Sequence, residues 1–109
     1  MVKFCIVITA RRRDTMHETK ALLIVRNGLR CMGCGRTVEY KNIQWHHIKP
    51  RYVYKAEHVV PDDSYENGAL LCKRCHVEIH KYLWWDDEYQ LLTEAILENK
   101  ARFEEQCKD

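Results

Sequence analysis

Four of the six cysteines in this chain stand in two pairs, and each pair has the spacing Cys-x-x-Cys. The pairs are Cys31/Cys34 and Cys72/Cys75, with 37 residues between them. Two intervening residues let both thiolates of a pair bind one ion, and four thiolates suit tetrahedral Zn²⁺. The spacing therefore predicts a structural zinc site that couples metal binding to folding. A redox dithiol is the weaker interpretation, because such a motif ordinarily occurs once.

Four histidines and an asparagine form a second group of residues that could do chemistry: His46, His47, Asn67, His76 and His80. Two histidines four residues apart would present both imidazoles on one helix face, where they could share a metal ion. The adjacent pair is expected in a strand, where neighbours face opposite sides and so do different work. A neutral imidazole can bind a metal or activate water near pH 7.

A mixed zinc site is an open alternative, because Cys72, His76 and His80 would also share one helix face. We prefer the all-cysteine site, since it leaves the histidines free. His17 and His58 lack such support and are interpreted as surface residues.

Composition narrows the class of protein. The chain has 109 residues, 46% of them hydrophobic and 31% charged, which allows one small globular domain over residues 1–109. No apolar run approaches the roughly 18–20 residues of a membrane span. The apolar run 4–10 precedes three arginines instead of following them, unlike a secretory signal. We therefore expect an intracellular protein in the cytoplasm, where paired cysteines bind metal.

Charge is unevenly distributed along the chain. Residues 1–85 carry 15 lysines and arginines against 8 acidic residues, whereas residues 86–109 carry 3 against 8. A basic part that holds the motifs and an acidic tail would fit a polyanionic substrate. Two ordinary solvated faces are the plainer interpretation.

Local sequence patterns predict the helices and strands that carry these residues. A strand is expected at 2–9, and a helix capped by Thr15 should end at Asn27-Gly28. Residues 38–48 are expected as one strand or as a hairpin bent near residues 41–42, and residues 51–65 as a loop. A helix should run from 72 to about 82, and a packing helix from about 86 to 106. Its apolar stripe predicts core positions at Trp85, Tyr89, Leu92, Ile96 and Phe103.

The motifs His-His-Ile-Lys-Pro, Asn67 and Leu-Leu-Cys-Lys-Arg-Cys-His, ending at His76, resemble the HNH endonuclease family. The resemblance covers roughly residues 31–80. It implies an α+β class and a small ββα-metal fold stapled by the four cysteines, flanked by an N-terminal strand and helix and a C-terminal helix. The chain also looks like compact HNH proteins of phages or mobile elements, and a phage-encoded protein would work in the host cytoplasm.

The resemblance implies a metal-dependent endonuclease that hydrolyses DNA phosphodiester bonds, by nicking or by double-strand cleavage. His47 would be the general base, and Asn67 would orient the base or its loop. His46, His76 and His80 would hold one catalytic divalent ion, of which His80 varies among relatives. Mg²⁺ is expected in the cell, and imidazole ligands would also accept Mn²⁺ or Ni²⁺.

DNA is the implied partner, and a homodimer or a protein partner would supply specificity. The candidate phosphate contacts lie near the motifs: Lys49, Arg51, Lys55, Lys73 and Arg74, with a second patch at Arg11–Arg13. Tyr52, Tyr54 and Tyr65 could stack on bases or pack, whereas Trp84 and Trp85 are expected to pack. The alternative function is a non-catalytic zinc module that binds nucleic acid or protein.

Overall fold

The computed structural model describes residues 16–107, and it begins with helix α1, Met16–Asn27. The helix ends as expected at Gly28, whose φ of +84° is a left-handed conformation that glycine adopts without strain. The N–H of Gly28 donates to the carbonyl of Ile24 at 2.8 Å. The strand expected at 2–9, the Thr15 cap and the arginines at 11–13 lie outside the described residues.

Two antiparallel strands form the sheet, β1 at Ile43–His47 and β2 at Gly68–Cys72. The register pairs Ile43 with Cys72 at one end and His47 with Gly68 at the other. A short 3₁₀ helix precedes each strand, at Tyr40–Asn42 and at Tyr65–Asn67. The prediction of a strand from residue 38 was wrong at its start, because residues 40–42 form a turn. The expected bend near 41–42 makes no hairpin, because the partner strand is 21 residues further on.

The prediction of a loop over 51–65 was also wrong in part, because Arg51–Ala56 forms helix α2. Its backbone starts from Pro50, whose fixed φ of −64° is close to that of a helix. Only Val53 of this helix is buried, so it has no apolar period that a sequence pattern could detect. Helix α3, Lys73–Ile79, follows β2 and ends earlier than the expected residue 82.

Helix α4, Asp87–Gln106, packs along the apolar faces of α1 and the sheet. Tyr89, Ile96 and Phe103 are buried as their spacing predicts, and Leu92 packs against the core. Trp85 was predicted wrongly as a core residue, because it precedes the helix and 64% of it is exposed. No helix within residues 16–107 is both long and apolar enough to cross a membrane.

Candidate metal centres and catalytic site

The four cysteines converge on one point between the turn after α1 and the start of α3. The sulfurs of Cys31, Cys34, Cys72 and Cys75 lie within 4.8 Å of one another. Cys31 and Cys72 are buried, whereas Cys34 is exposed. The backbone N–H groups of Gly33 and Cys34 point at the Cys31 sulfur, at 3.3 and 3.4 Å. Such donors stabilise a thiolate, so this donor set fits a structural Zn²⁺.

Arg36 supports the ionised form of one of these cysteines. Burial disfavours the thiolate of Cys34, but hydrogen bonds from the backbone and the side chain of Arg36 outweigh it and lower the pKa to about 6. The hydrogen bond to Cys34 in turn raises the pKa of the Arg36 guanidinium. A thiolate that is already ionised at neutral pH needs no proton release to bind a metal ion.

Three histidines form a second, separate cluster. The ring nitrogens of His46, His76 and His80 can be chosen so that all lie within 4.8 Å of one another. The ring centroids are 5.2 Å apart for His46 and His76, 5.4 Å for His46 and His80, and 4.6 Å for His76 and His80. Because the cysteines and the histidines form distinct groups, the arrangement matches the all-cysteine site and not the mixed one.

The orientation of the histidine rings fits a metal ligand set. His46 is 1% exposed, and its Nδ1 is buried without a hydrogen-bond partner in the described part of the chain. His76 Nδ1 lies 2.6 Å from Gln44 Oε1, an oxygen that can only accept, so His76 carries its proton there and Nε2 keeps a lone pair. An unpartnered buried nitrogen beside two further imidazoles is what a divalent ion would satisfy.

Electrostatics keeps this cluster neutral. Burial, reinforced by the neighbouring His76 and His80, lowers the pKa of His46 to about 3. Burial also lowers the pKa of His76 and of His80. Since only neutral imidazole has a lone pair to donate, all three side chains are suited to bind metal at neutral pH.

His47 points to the opposite side of β1, as strand alternation predicts. Its Nε2 lies 2.7 Å from Asp63 Oδ1, and its ring packs at 4.3 Å against Trp45, two residues earlier on the same face. Because Nε2–H donates a hydrogen bond to the carboxylate, Nδ1 carries the lone pair. The ring is thus held in one tautomer, and the side chain keeps 12% of its surface exposed.

Asn67 holds the loops around His47 and does not lie in the histidine cluster. Its Oδ1 accepts from the Lys49 backbone N–H at 2.8 Å, and its Nδ2 donates to the carbonyls of Lys49 at 3.2 Å and Asp62 at 2.8 Å. The amide therefore joins the segment after β1 to the segment that carries Asp63. This placement fits a positioning role for Asn67.

Gly68 completes the region opposite His47. A Cβ at this position would come within 2.8 Å of the Trp45 ring, so a larger residue would displace the tryptophan against which His47 packs. The close approach of ring to backbone requires glycine here.

The candidate phosphate contacts differ in how free their charges are. Arg51, Lys55, Lys73 and Arg74 are exposed, on the first turns of α2 and α3 and at the end of α2. Lys49 instead lies 2.9 Å from Glu57, and that hydrogen bond raises its pKa. Of the three tyrosines, Tyr65 is buried, Tyr54 is half-buried and Tyr52 is exposed. His17 and His58 are exposed, as expected.

Three residues of the site were not identified from the sequence: Asp63, Gln44 and Tyr89. Gln44 could have been found, because it lies two residues before His46 and so shares its strand face. The Tyr89 hydroxyl donates to the Ile48 carbonyl at 3.0 Å and lies 3.5 Å from His46 Nε2, but its spacing indicated only a core residue. Asp63 lies in an irregular segment, where no periodicity marks it.

The comparison with known families bears on this arrangement. Residues 31–82 match the HNH endonuclease family. The match begins at Cys31 and runs past His80, so this HNH region contains both clusters, His47 and Asn67. The family resemblance and the α+β fold with its two-stranded sheet and cysteine cluster are confirmed. Neither the curated proteins nor the solved structures include a match to the chain.

Proposed function

We propose that the protein is a metal-dependent HNH endonuclease that hydrolyses DNA phosphodiester bonds. One observation carries the proposal: three histidines converge on one side of β1, with His46 buried, His76 half-buried and His80 exposed. His47, paired with Asp63, lies on the other side. The HNH region supports a nucleic-acid substrate for this arrangement. The roles of the individual site residues are part of the same proposal.

His47 acts as the general base. Its Nδ1 takes a proton from water, and the oxygen so activated attacks the phosphorus while the bond to the 3′ oxygen breaks. Asp63 holds Nε2–H at 2.7 Å, which fixes the tautomer and stabilises the imidazolium that forms. Asn67 positions this pair through its bonds to Lys49 and Asp62.

His46, His76 and His80 would hold the catalytic ion. Mg²⁺ is the proposed ion in the cell, and Mn²⁺ or Ni²⁺ should substitute for it, Ni²⁺ being the ion that imidazole ligands suit best of the three. Bound there, a divalent ion would neutralise charge on the phosphate oxygens and assist the departing oxygen. Gln44 orients His76 through the 2.6 Å contact, and burial keeps His46 neutral. Zn²⁺ on the four cysteines supports the fold.

Exposed cations near the site would contact the DNA backbone: Arg51, Lys55, Lys73 and Arg74, with a weaker contribution from Lys49, which is paired. Backbone contacts carry no sequence information, so a homodimer or protein partner would supply specificity. Four thiolate ligands are stable in a reducing compartment, and we therefore also propose an intracellular location.

The test is cleavage of supercoiled plasmid by the pure protein with Mg²⁺, Mn²⁺ or Ni²⁺, or without added ion. Cleavage that needs the ion and is lost in His47→Ala supports the proposal. His17→Ala is the matched control, because His17 is exposed on α1 and should leave cleavage unchanged. Absence of cleavage with every ion, from folded protein that holds one zinc, would favour the non-catalytic zinc module. Cleavage that survives in His47→Ala would overturn the assignment of the base.

A further inference from the structure

Two exposed aromatic rings lie side by side next to the candidate catalytic site. Tyr52 of α2 is 39% exposed and Trp85, before α4, is 64% exposed. Their ring centroids are 6.0 Å apart, with 51° between the planes. The backbone N–H of Trp84 donates to the Tyr52 hydroxyl at 2.7 Å, which ties the two segments together. We call Tyr52 and Trp85 the aromatic platform.

A cavity of about 540 Å³ opens on the α2 side of this platform. The residues that line it combine one ring, two cations, a histidine and an apolar wall: Arg51, Tyr52, Lys55, His58, Val59 and Val60. Arg51 and Lys55 are exposed, and within residues 16–107 neither forms an ion pair with an acidic side chain. Their charges are therefore available to a polyanion.

The other side of the platform is acidic, because Asp86, Asp87 and Glu88 follow Trp85. Asp86 is engaged locally, since its Oδ2 accepts from the Leu83 N–H at 2.8 Å. A phosphate chain would avoid this side and follow α2, which leaves Trp85 to contribute through its ring. The platform thus offers a backbone path and a base contact on different sides.

Trp84 links the platform to the histidine cluster, because it adjoins Trp85 in the chain and its backbone N–H donates to the Tyr52 hydroxyl. The Trp84 ring lies 5.7 Å from that of Tyr89, which lies 6.4 Å from that of His46. On the α2 side, only a short segment separates Arg51 from His47 at the end of β1. The platform is thus tied to the elements that carry His46 and His47.

We propose that the aromatic platform stacks an unpaired base of a single-stranded nucleic acid, while Arg51 and Lys55 bind its phosphates. Every base has a π face that an exposed aromatic ring can cover, whereas the bases of a duplex are already stacked on both faces. The proposal rests on the proposed nuclease function and specifies its substrate: a strand with unpaired bases at the cleavage site.

The test measures binding without turnover, in the full chain carrying His47→Ala and without added divalent ion. The probe is a short fluorescein-labelled oligodeoxythymidylate, and the competitor is an unlabelled duplex. Removing one ring, in Trp85→Ala or Tyr52→Ala, should weaken single-strand binding about five- to one-hundred-fold, the loss ordinarily seen when a stacking ring is removed. Zinc content and melting temperature show whether each variant is folded.

Tryptophan emission gives a second measurement that does not depend on the alanine variants. An unlabelled oligonucleotide should quench the parent protein, and Trp85→Phe should keep binding while losing most of the quench. Tyr40→Ala is the matched control, because Tyr40 is 62% exposed with Lys20 over its ring at 4.9 Å, yet precedes β1 on the α1 side. It should bind like the parent.

The outcomes separate this inference from the proposed function. Duplex binding equal to single-strand binding, with no effect of Trp85→Ala and no quench, would overturn the platform and leave the nuclease intact. Failure to bind either nucleic acid would overturn both. Selective single-strand binding by a protein that cleaves nothing would support the platform and contradict the nuclease.

Discussion

The cysteine cluster and the histidine cluster lie next to each other in the chain, yet they are built in different ways. Cys75 and His76 are neighbours on α3 and serve different clusters. The cysteines are held by backbone, because a tight turn supplies one pair and N–H groups point at Cys31. The histidines are held by side chains from distant elements, such as Gln44 of β1 and Tyr89 of α4.

Because the two clusters are built differently, a metal ion bound at each should contribute differently to folding. A cluster held by its own turns closes a loop across the middle of the chain, so its metal contributes directly to folding. The histidine cluster is formed by elements that the rest of the fold already positions, and His46 is buried there. A metal ion bound at this cluster should therefore contribute less to folding. Mutations at the cysteine cluster should therefore change stability, whereas mutations at the histidine site should change the rate of cleavage.

The largest expected effect is the loss of a buried zinc ligand. Cys72→Ser should remove the bound zinc and unfold the HNH region, because structural zinc contributes about 10–16 kcal/mol of apparent binding energy to folding. Zinc content and thermal melting followed by circular dichroism measure the two effects. Cys107→Ser is the matched control, since Cys107 is exposed after α4 and outside the cluster. A Cys72→Ser protein that is folded without metal would show that the cysteine cluster is not needed for folding.

His47→Ala should show the opposite pattern. We expect the rate of plasmid cleavage to fall about 10²–10⁴-fold, the usual contribution of a general base. Zinc content and melting temperature should stay close to those of the parent, because His47 is partly exposed and contributes to no cluster. If His47→Ala unfolds the protein, the division between structural and catalytic residues is wrong.

Asp63 tests the same site from a second residue, because its carboxylate lies 2.7 Å from His47 Nε2. Asp63→Ala should lower kcat about ten- to a hundred-fold with little change in KM, as loss of an orienting partner does. Asp63→Asn should be milder, because an amide oxygen can still accept a hydrogen bond from His47 Nε2–H. Steady-state cleavage of an oligonucleotide measures both constants. An equal loss in both variants would indicate that the carboxylate charge matters and the orientation does not.

The sequence predicted what is encoded by spacing. Paired cysteines, histidines four residues apart and alternation at His46 and His47 are local patterns, and the structure brings each group together as expected. The end of α1 at Gly28 is also a local pattern, because a left-handed backbone conformation favours glycine.

What the sequence did not predict depends on contacts between distant segments. Asp63 meets His47 across 16 residues, and β1 finds its partner in β2 instead of in its own hairpin. Helix α2 buries only Val53, so no apolar period announced it. The spacing of Trp85 matches the apolar stripe of α4, but this residue lies before the helix begins and is exposed.

Lys100 gives an effect on stability that depends on pH, and it tests how the segment around Asn67 is supported. This lysine of α4 is buried, and its Nζ donates to the carbonyls of Tyr65 at 2.6 Å and Gly68 at 2.7 Å. The two carbonyls flank Asn67, so Lys100 supports the segment that carries this asparagine. Burial lowers the pKa of Lys100 to about 8, below the value of 10.5 for a free side chain.

The sign of the pH effect follows from proton binding. Between pH 8 and 10.5 the unfolded chain holds this proton more often than the folded chain does, so the group makes stability rise with pH over this window. Below pH 8 both states hold the proton and the dependence ends. Lys100→Met should flatten that slope, whereas Lys20→Met, on the partly exposed surface of α1, should not. Urea unfolding at several pH values measures it, and equal slopes in all three proteins would show that Lys100 is not desolvated by the fold.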